Sequence, residues 1–283
     1  MSKFKNILLI KSLIFISICG IYAQSSDTVL IQKYEYLLQG LFDSISNNTN
    51  DSENEQVNKT IIENLEQVLI IDGSFTYSFD SLENLGKISS SDGKLRIYTW
   101  NLPYFNGTHK YFGFIQFVPK RKTDILLYKL LDQSEILESP EGLILADTSW
   151  FGALYYEIIE KEYNDTIYYT LLGFDFNNFL TKKKIIEILY FKDGEIPVFG
   201  KPLFKYQNEL RSRIIFEYSS KAAMGLKYNK ELKMIVFDHL SPLKPFYEGL
   251  YMFYGPDFSY DGFKFNNGIW NEVLDIDVRN TSY

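Results

Sequence analysis

Residues 166–175, Thr-Ile-Tyr-Tyr-Thr-Leu-Leu-Gly-Phe-Asp, and 184–192, Lys-Ile-Ile-Glu-Ile-Leu-Tyr-Phe-Lys, decide the fold class. Both runs are rich in β-branched and aromatic side chains and are bounded by Asn, Asp and Gly, which predicts strands rather than helices. The same pattern recurs from about residue 73 onward. It predicts further strands near 94–100, 110–118, 124–131, 152–160, 211–219, 223–229, 232–238, 249–254, 261–265 and 269–277. Asp92-Gly93, Asn106-Gly107, Asp193-Gly194 and Asn267-Gly268 supply residues that accept positive φ, so neighbouring strands should pair antiparallel. Segments 132–148 and 239–248 read as excursions, the second stiffened by Pro242 and Pro245.

Upstream the period changes. Leu30, Tyr34, Leu37, Leu38, Leu41, Phe42 and Ile45 place an apolar stripe on one helix, and Val57, Ile61, Ile62, Leu65, Val68 and Leu69 do so on a second. The Asn- and Ser-rich stretch 46–52 between them is turn and cap chemistry. The expected architecture is therefore mainly β (α+β): an N-terminal helical hairpin over 24–72, then a large antiparallel β meander over 73–283. A dozen strands with no helices between them exclude Rossmann and TIM architectures and favour a sandwich or open barrel. A small propeller is the lesser alternative, because no repeat of fixed period occurs.

Lys3, Lys5 and Lys11 precede an apolar run, 12–21, that ends near the small residue Ala23. That order predicts a signal peptide over 1–23, hence a secreted chain of the periplasm or cell surface whose mature form begins at Gln24. Cys19 follows Ile18 rather than the small residue that a lipidation signal carries, which favours ordinary cleavage. Cleavage removes three of the 29 basic side chains and none of the 36 acidic ones, shifting the formal net charge from −7 to −10. It also removes the only cysteine, and with it disulfides, thiolate catalysis and Cys-ligated metals. The acidic balance argues against nucleic acid as a partner. No span after the leader is long and apolar enough to predict a transmembrane segment in the mature chain.

No common catalytic signature is present. The nearest, Gly194 to Pro202, has one residue too many for a phosphate loop, and Pro202 stands where a hydroxyl would hold magnesium. Weak catalytic candidates are Asp175, Asp238, His239, Asp257 and Asp261. A carboxylate pair could serve glycoside hydrolysis, and His239 beside a carboxylate could act as a base. Adjacent strand residues point to opposite faces, however, so Asp238 should not orient His239. Oxygen ligands around Asp175 and Asp257 would suit calcium, but Asp and Asn beside Gly are also ordinary turn chemistry. No cofactor and no metal site is therefore expected. The aromatic excess, 22 Tyr, 23 Phe and 3 Trp, is largely what strands favour. Trp100, Trp150 and Trp270, at strand ends, are the expected binding face for a protein partner or a glycan.

The segments Asp92 to Asn101, Trp150 to Tyr156, Phe237-Asp238-His239-Leu240, and Tyr254-Gly255-Pro256-Asp257 with Tyr260-Asp261-Gly262 resemble a family of exported, signal-peptide-bearing Gram-negative bacterial proteins of unknown function. The resemblance spans most of the mature chain. It implies export and a shared fold and supplies no mechanism. Together these readings lead to an exported binding or assembly component rather than an enzyme, with an Asp/Glu-based glycan hydrolase or carbohydrate-binding protein as the alternative.

Overall fold

The computed structural model describes residues 26–47, 50–120 and 124–277, so the expected signal peptide lies outside the described residues. The chain divides into two compact units, 1–84 and 85–283.

The first unit holds α1 (26–47) and α2 (Asp51–Val68), followed by turns. Asn50 caps α2, its side chain accepting from the amides of Ser52 and Glu53. The stripe of α1 is rotated by about one residue from the expected one: Ile31, Glu35, Leu38 and Phe42 are buried, whereas Leu30 and Leu37 are exposed. The cause is Glu35. Its carboxylate accepts from the Tyr77 hydroxyl (2.5 Å) and the Ser81 amide (2.8 Å), which satisfies a charge that periodicity would place in water. The bond to Glu35 pushes the Tyr77 phenol up to about 12. The same two contacts tie the turns after α2 to α1, which is why this unit runs to residue 84 rather than ending at 72.

The second unit is built from β1 (Gly86–Ser89), β2 (Leu95–Pro103), β3 (His109–Phe117), β4 (Leu126–Leu131), β5 (Leu145–Ala146), β6 (Leu154–Tyr163), β7 (Thr166–Asp175), β8 (Thr181–Lys192), β9 (Ile196–Phe199), β10 (Phe204–Tyr206), β11 (Glu209–Arg211), β12 (Arg213–Ser219), β13 (Leu226–Asn229), β14 (Met234–Pro242), β15 (Tyr254–Asn266) and β16 (Ile269–Val273). They form three sheets, none closed into a barrel: β1-β2-β3-β4; β5-β9-β8-β7-β6 with β12 on β8; and β11-β10-β16-β15-β14-β13. Most pairings join strands adjacent in sequence and run antiparallel; β5 pairs antiparallel with β9 and β12 with β8, and β10 runs parallel to β16 over two residues. The expected strand 249–254 is instead a 3-10 turn over Tyr251–Phe253, entered through Gly249 at φ +80°.

The central sheet is covered on both faces. Tyr169, Leu171, Ile185 and Leu189 join Ile97, Ile115 and Leu130 of the first sheet in one core. Tyr168, Leu172, Ile186 and Ile188 join Ile235, Phe237 and Phe263 of the third sheet in another. Odd and even positions of β7 and β8 thus serve different cores, as a period of two requires. The exception in the first core is ionic. Glu187 and Arg213, both fully buried, form a salt bridge, Tyr155 donates to Glu187 (2.6 Å), and Arg213 donates to the Pro140 carbonyl (2.5 Å). No helix among the described residues is long and apolar enough to cross a membrane.

Candidate docking surface at the loop end of the three sheets

Between β7 and β8 the loop spends its polar side chains on its own backbone and on neighbouring side chains. Asp175 accepts from the Asn177 amide (2.6 Å), and Asn178 accepts from the amides of Leu180 (2.8 Å) and Thr181 (3.1 Å). Asn177 itself sits at φ +53° and donates to Thr181 and Glu217. What remains to face outward is Phe179 and Leu180, 70% and 56% exposed. Neighbouring loops meet this one. The Phe179 ring lies over Gly107 in the β2–β3 turn, at φ +86°, where a Cβ would come within 2.4 Å of the ring. Ser220, after β12, donates its amide to the Leu180 carbonyl and its hydroxyl to the Phe179 carbonyl.

The excursion between β14 and β15 completes the surface. Tyr247 and Phe253 stack at 4.0 Å, and the Leu243 amide donates to the Phe253 carbonyl, fixing the base of the excursion. Leu243, Phe246, Leu250 and Met252 are left exposed. Between this excursion and the 179–180 loop runs a groove of about 440 Å³. Apart from Ser219, Ser220 and Lys221, its lining side chains are apolar or aromatic. Contiguous exposed apolar surface is the kind of surface at which partners dock in other proteins.

Beside the excursion, β15 carries a bulge in which Asp257, Phe258 and Ser259 stand opposite His239 alone. Phe258 is 93% exposed at φ +72°, a conformation costly for a bulky side chain. Asp257 accepts from the Ser259 amide and hydroxyl. His239 Nδ1 lies 2.6 Å from Asp261 Oδ2, and Asp261 Oδ1 accepts from the Asp275 amide. The hydrogen bond to Asp261, aided by the charges of Asp261, Asp257 and Asp275, raises the His239 pKa above its ordinary 6.5 despite partial burial. The shift favours the imidazolium, the form that cannot accept a proton. Among the described residues its hydrogen-bond partner is Asp261 alone.

The remaining candidates lie apart. Asp238 accepts from the Gly225 amide (2.6 Å), and so does not orient His239. Asp175 is buried, taking bonds from Tyr111 (2.7 Å) and Asn177 and a contact from Lys183 (3.7 Å). Beside it His109 stacks on Phe176 at 5.0 Å and meets Asn101 through Nδ1 (2.9 Å); desolvation lowers its pKa. Both loops that could have held calcium thus spend an aspartate oxygen on their own turn, and no described group of three His, Cys, Asp or Glu is arranged to hold a metal.

The tryptophan face must be corrected. Trp100 is 2% exposed and lies against Phe112 and Phe114, while Trp150 and Trp270 are fully buried. The indole N–H of Trp150 donates to Tyr155 and that of Trp270 to Thr170, so the polar handle needs no water and the ring can enter a core. The exposed aromatic and aliphatic side chains are elsewhere, at Phe179, Phe246, Phe258 and their neighbours. For Leu243 and Phe246 the sequence signal was the excursion expected over 239–248; Leu250 and Met252 fell in the strand expected over 249–254, and Phe179 and Phe258 carried no signal of exposure. The sequence matches no family model, and neither a search of curated proteins nor one of solved structures returned a match, so the surface is read from its own chemistry.

Proposed function

We propose that this chain is an exported, non-catalytic binding or assembly component of the periplasm or cell surface, and that it docks a protein partner on the loop surface. The observation that carries the reading is the 440 Å³ groove rimmed by exposed Phe179, Leu180, Leu243 and Met252. Burying apolar surface there gains roughly 25 cal/mol for each Å² removed from water. A glycan would need several converging hydrogen-bond groups, and beside its backbone the groove supplies Ser219, Ser220, Lys221 and the Tyr254 hydroxyl, which already accepts from the Gly249 amide. A protein segment with apolar side chains and a flanking acid for Lys221 fits better. Export rests on the charged, apolar and small-residue order of residues 1–23.

Placing a photoreactive side chain at Leu243 in the native host tests this, with Lys230 in the turn at the other end of β14 as control. A discrete crosslinked protein at Leu243 only, lost when Leu180→Asp is added, is the expected result. Equal labelling at both positions, or none at Leu243, overturns the docking surface. Mass spectrometry of the purified protein should find Gln24 at its N-terminus; an intact Met1 overturns export.

A further inference from the structure

We propose that a second cleft, at the opposite ends of the first two sheets, binds a free α-amino acid with an apolar or aromatic side chain. The cleft encloses about 270 Å³ and lies where β3 ends, beside the β6–β7 and β8–β9 turns. Its floor is aromatic: Phe117 and Phe191 stack face to face (3.4 Å, 4°), and Tyr169 meets Phe191 edge-on at 6.2 Å. Its lips are charged and of opposite sign. Lys94 immediately precedes β2 and Lys120 follows β3 of the first sheet, and Asp165 and Asp193 stand in turns of the second.

Three features make this a site rather than scattered surface charge. First, no ion pair within 4.0 Å joins any of these four side chains to another described residue. Two cations and two anions therefore face one cleft without neutralising one another. Second, the carboxylates sit on tight turns, Asn164 and Asp165 at φ +50° and +59° and Asp193 and Gly194 at +54° and +80°, which hold them at the lip. Third, the volume is that of roughly nine waters, suiting a ligand of about a dozen non-hydrogen atoms.

The charge pattern selects the ligand. A simple anion would satisfy the lysines and leave two carboxylates facing it, and a simple cation would do the reverse. A zwitterion satisfies both lips: its carboxylate meets Lys94 and Lys120, its ammonium meets Asp165 and Asp193, and its side chain covers the Phe117–Phe191 stack.

Titration calorimetry of the mature protein with L-phenylalanine tests the proposal, with N-acetyl-L-phenylalanine amide as the ligand lacking both charges. Saturable binding of L-phenylalanine, at least tenfold weaker for the capped compound, is the expected result. Asp165→Asn with Asp193→Asn, and separately Lys94→Gln with Lys120→Gln, should each weaken binding at least tenfold. Unchanged thermal melts would show that these lip variants still fold. Equal affinity for the capped compound, charge variants that bind as the parent does, or no heat at about 10 mM ligand, tenfold above a ~1 mM affinity, each overturn the assignment.

Discussion

Replacing Arg213 by Met leaves Glu187 as a fully buried carboxylate whose salt-bridge partner is gone. Both side chains are 0% exposed, so no solvent can substitute. One hydrogen bond to Glu187, from Tyr155, survives, and the Pro140 carbonyl keeps only its bond from the Leu143 amide. Breaking a buried pair from one side costs about 3–5 kcal/mol, because desolvation of the remaining charge is no longer offset. For a unit of about 200 residues that is a fall of roughly 8–15 °C in Tm. Glu187→Leu alone should cost a similar amount. The double variant Glu187→Leu with Arg213→Met removes both charges and fills the space with carbon; the Tyr155 hydroxyl loses its acceptor but keeps the bond from Trp150, and the Pro140 carbonyl keeps the bond from Leu143, so the remaining cost is about 1–3 kcal/mol. The double variant should therefore be more stable than either single one, with a coupling energy of at least about 3 kcal/mol. Urea unfolding followed by tryptophan fluorescence reads this cleanly, since all three tryptophans belong to the second unit. A double variant no more stable than the worse single one, or a loss below about 1 kcal/mol for Arg213→Met, would refute the claim that the pair is dry and mutually dependent.

Three further outcomes follow from the same geometry. Trp270→Ala should cost about 3–5 kcal/mol in urea unfolding through the cavity it leaves, and a loss under about 1 kcal/mol would return the ring to the surface. Phe258→Gly should stabilise the second unit by about 1 kcal/mol, because relief of the positive-φ strain exceeds the added chain entropy of glycine, while weakening capture of the partner; a destabilised variant contradicts the strain. The chain has only two histidines, so NMR titration separates them: His239 should titrate above 6.5 and His109 below it. Since folding raises the His239 pKa, its stabilisation is complete below about pH 6.5 and is lost as pH rises through the raised value. His239→Gln should flatten that part of the stability profile, and an unchanged slope would exclude the His239–Asp261 pair as its source.

How much was legible beforehand depended on the range of the interaction. β7 was read at its observed bounds, because alternation, β-branching and the Asn-Asp and Asn-Asn turns around it are all local. β8 was also found, with its start three residues late at Lys184 rather than Thr181, where Asn177 and Glu217 bind the Thr181 hydroxyl and make it part of the strand end. The short strands β1, β5, β9, β10 and β11 were missed, since two to four residues carry too little period. Their pairing comes from partners as distant as β16, lying beside β10. At the site, Asp257 and Asp261 were picked out as a pair and His239 apart from them, but the bond that joins His239 to Asp261 spans 22 residues, across a pairing that carries the β15 bulge.

What the sequence alone determined is the class of the chain: two helices ahead of many antiparallel strands, with a leader, a net acidic mature chain and no thiol as further expectations. Those rest on composition and on neighbours within a few residues. Only the tertiary structure decided that the strands form three sheets with the middle one covered on both faces, because every residue of β7 and β8 can read as buried without revealing which partner buries it. Only it decided that Trp100, Trp150 and Trp270 are inside while Phe179, Phe246 and Phe258 are outside. An aromatic side chain gains from burial wherever a neighbour offers it a fitting space and, for indole, an acceptor. Those neighbours, Thr170 for Trp270 among them, stand up to 100 residues away along the chain.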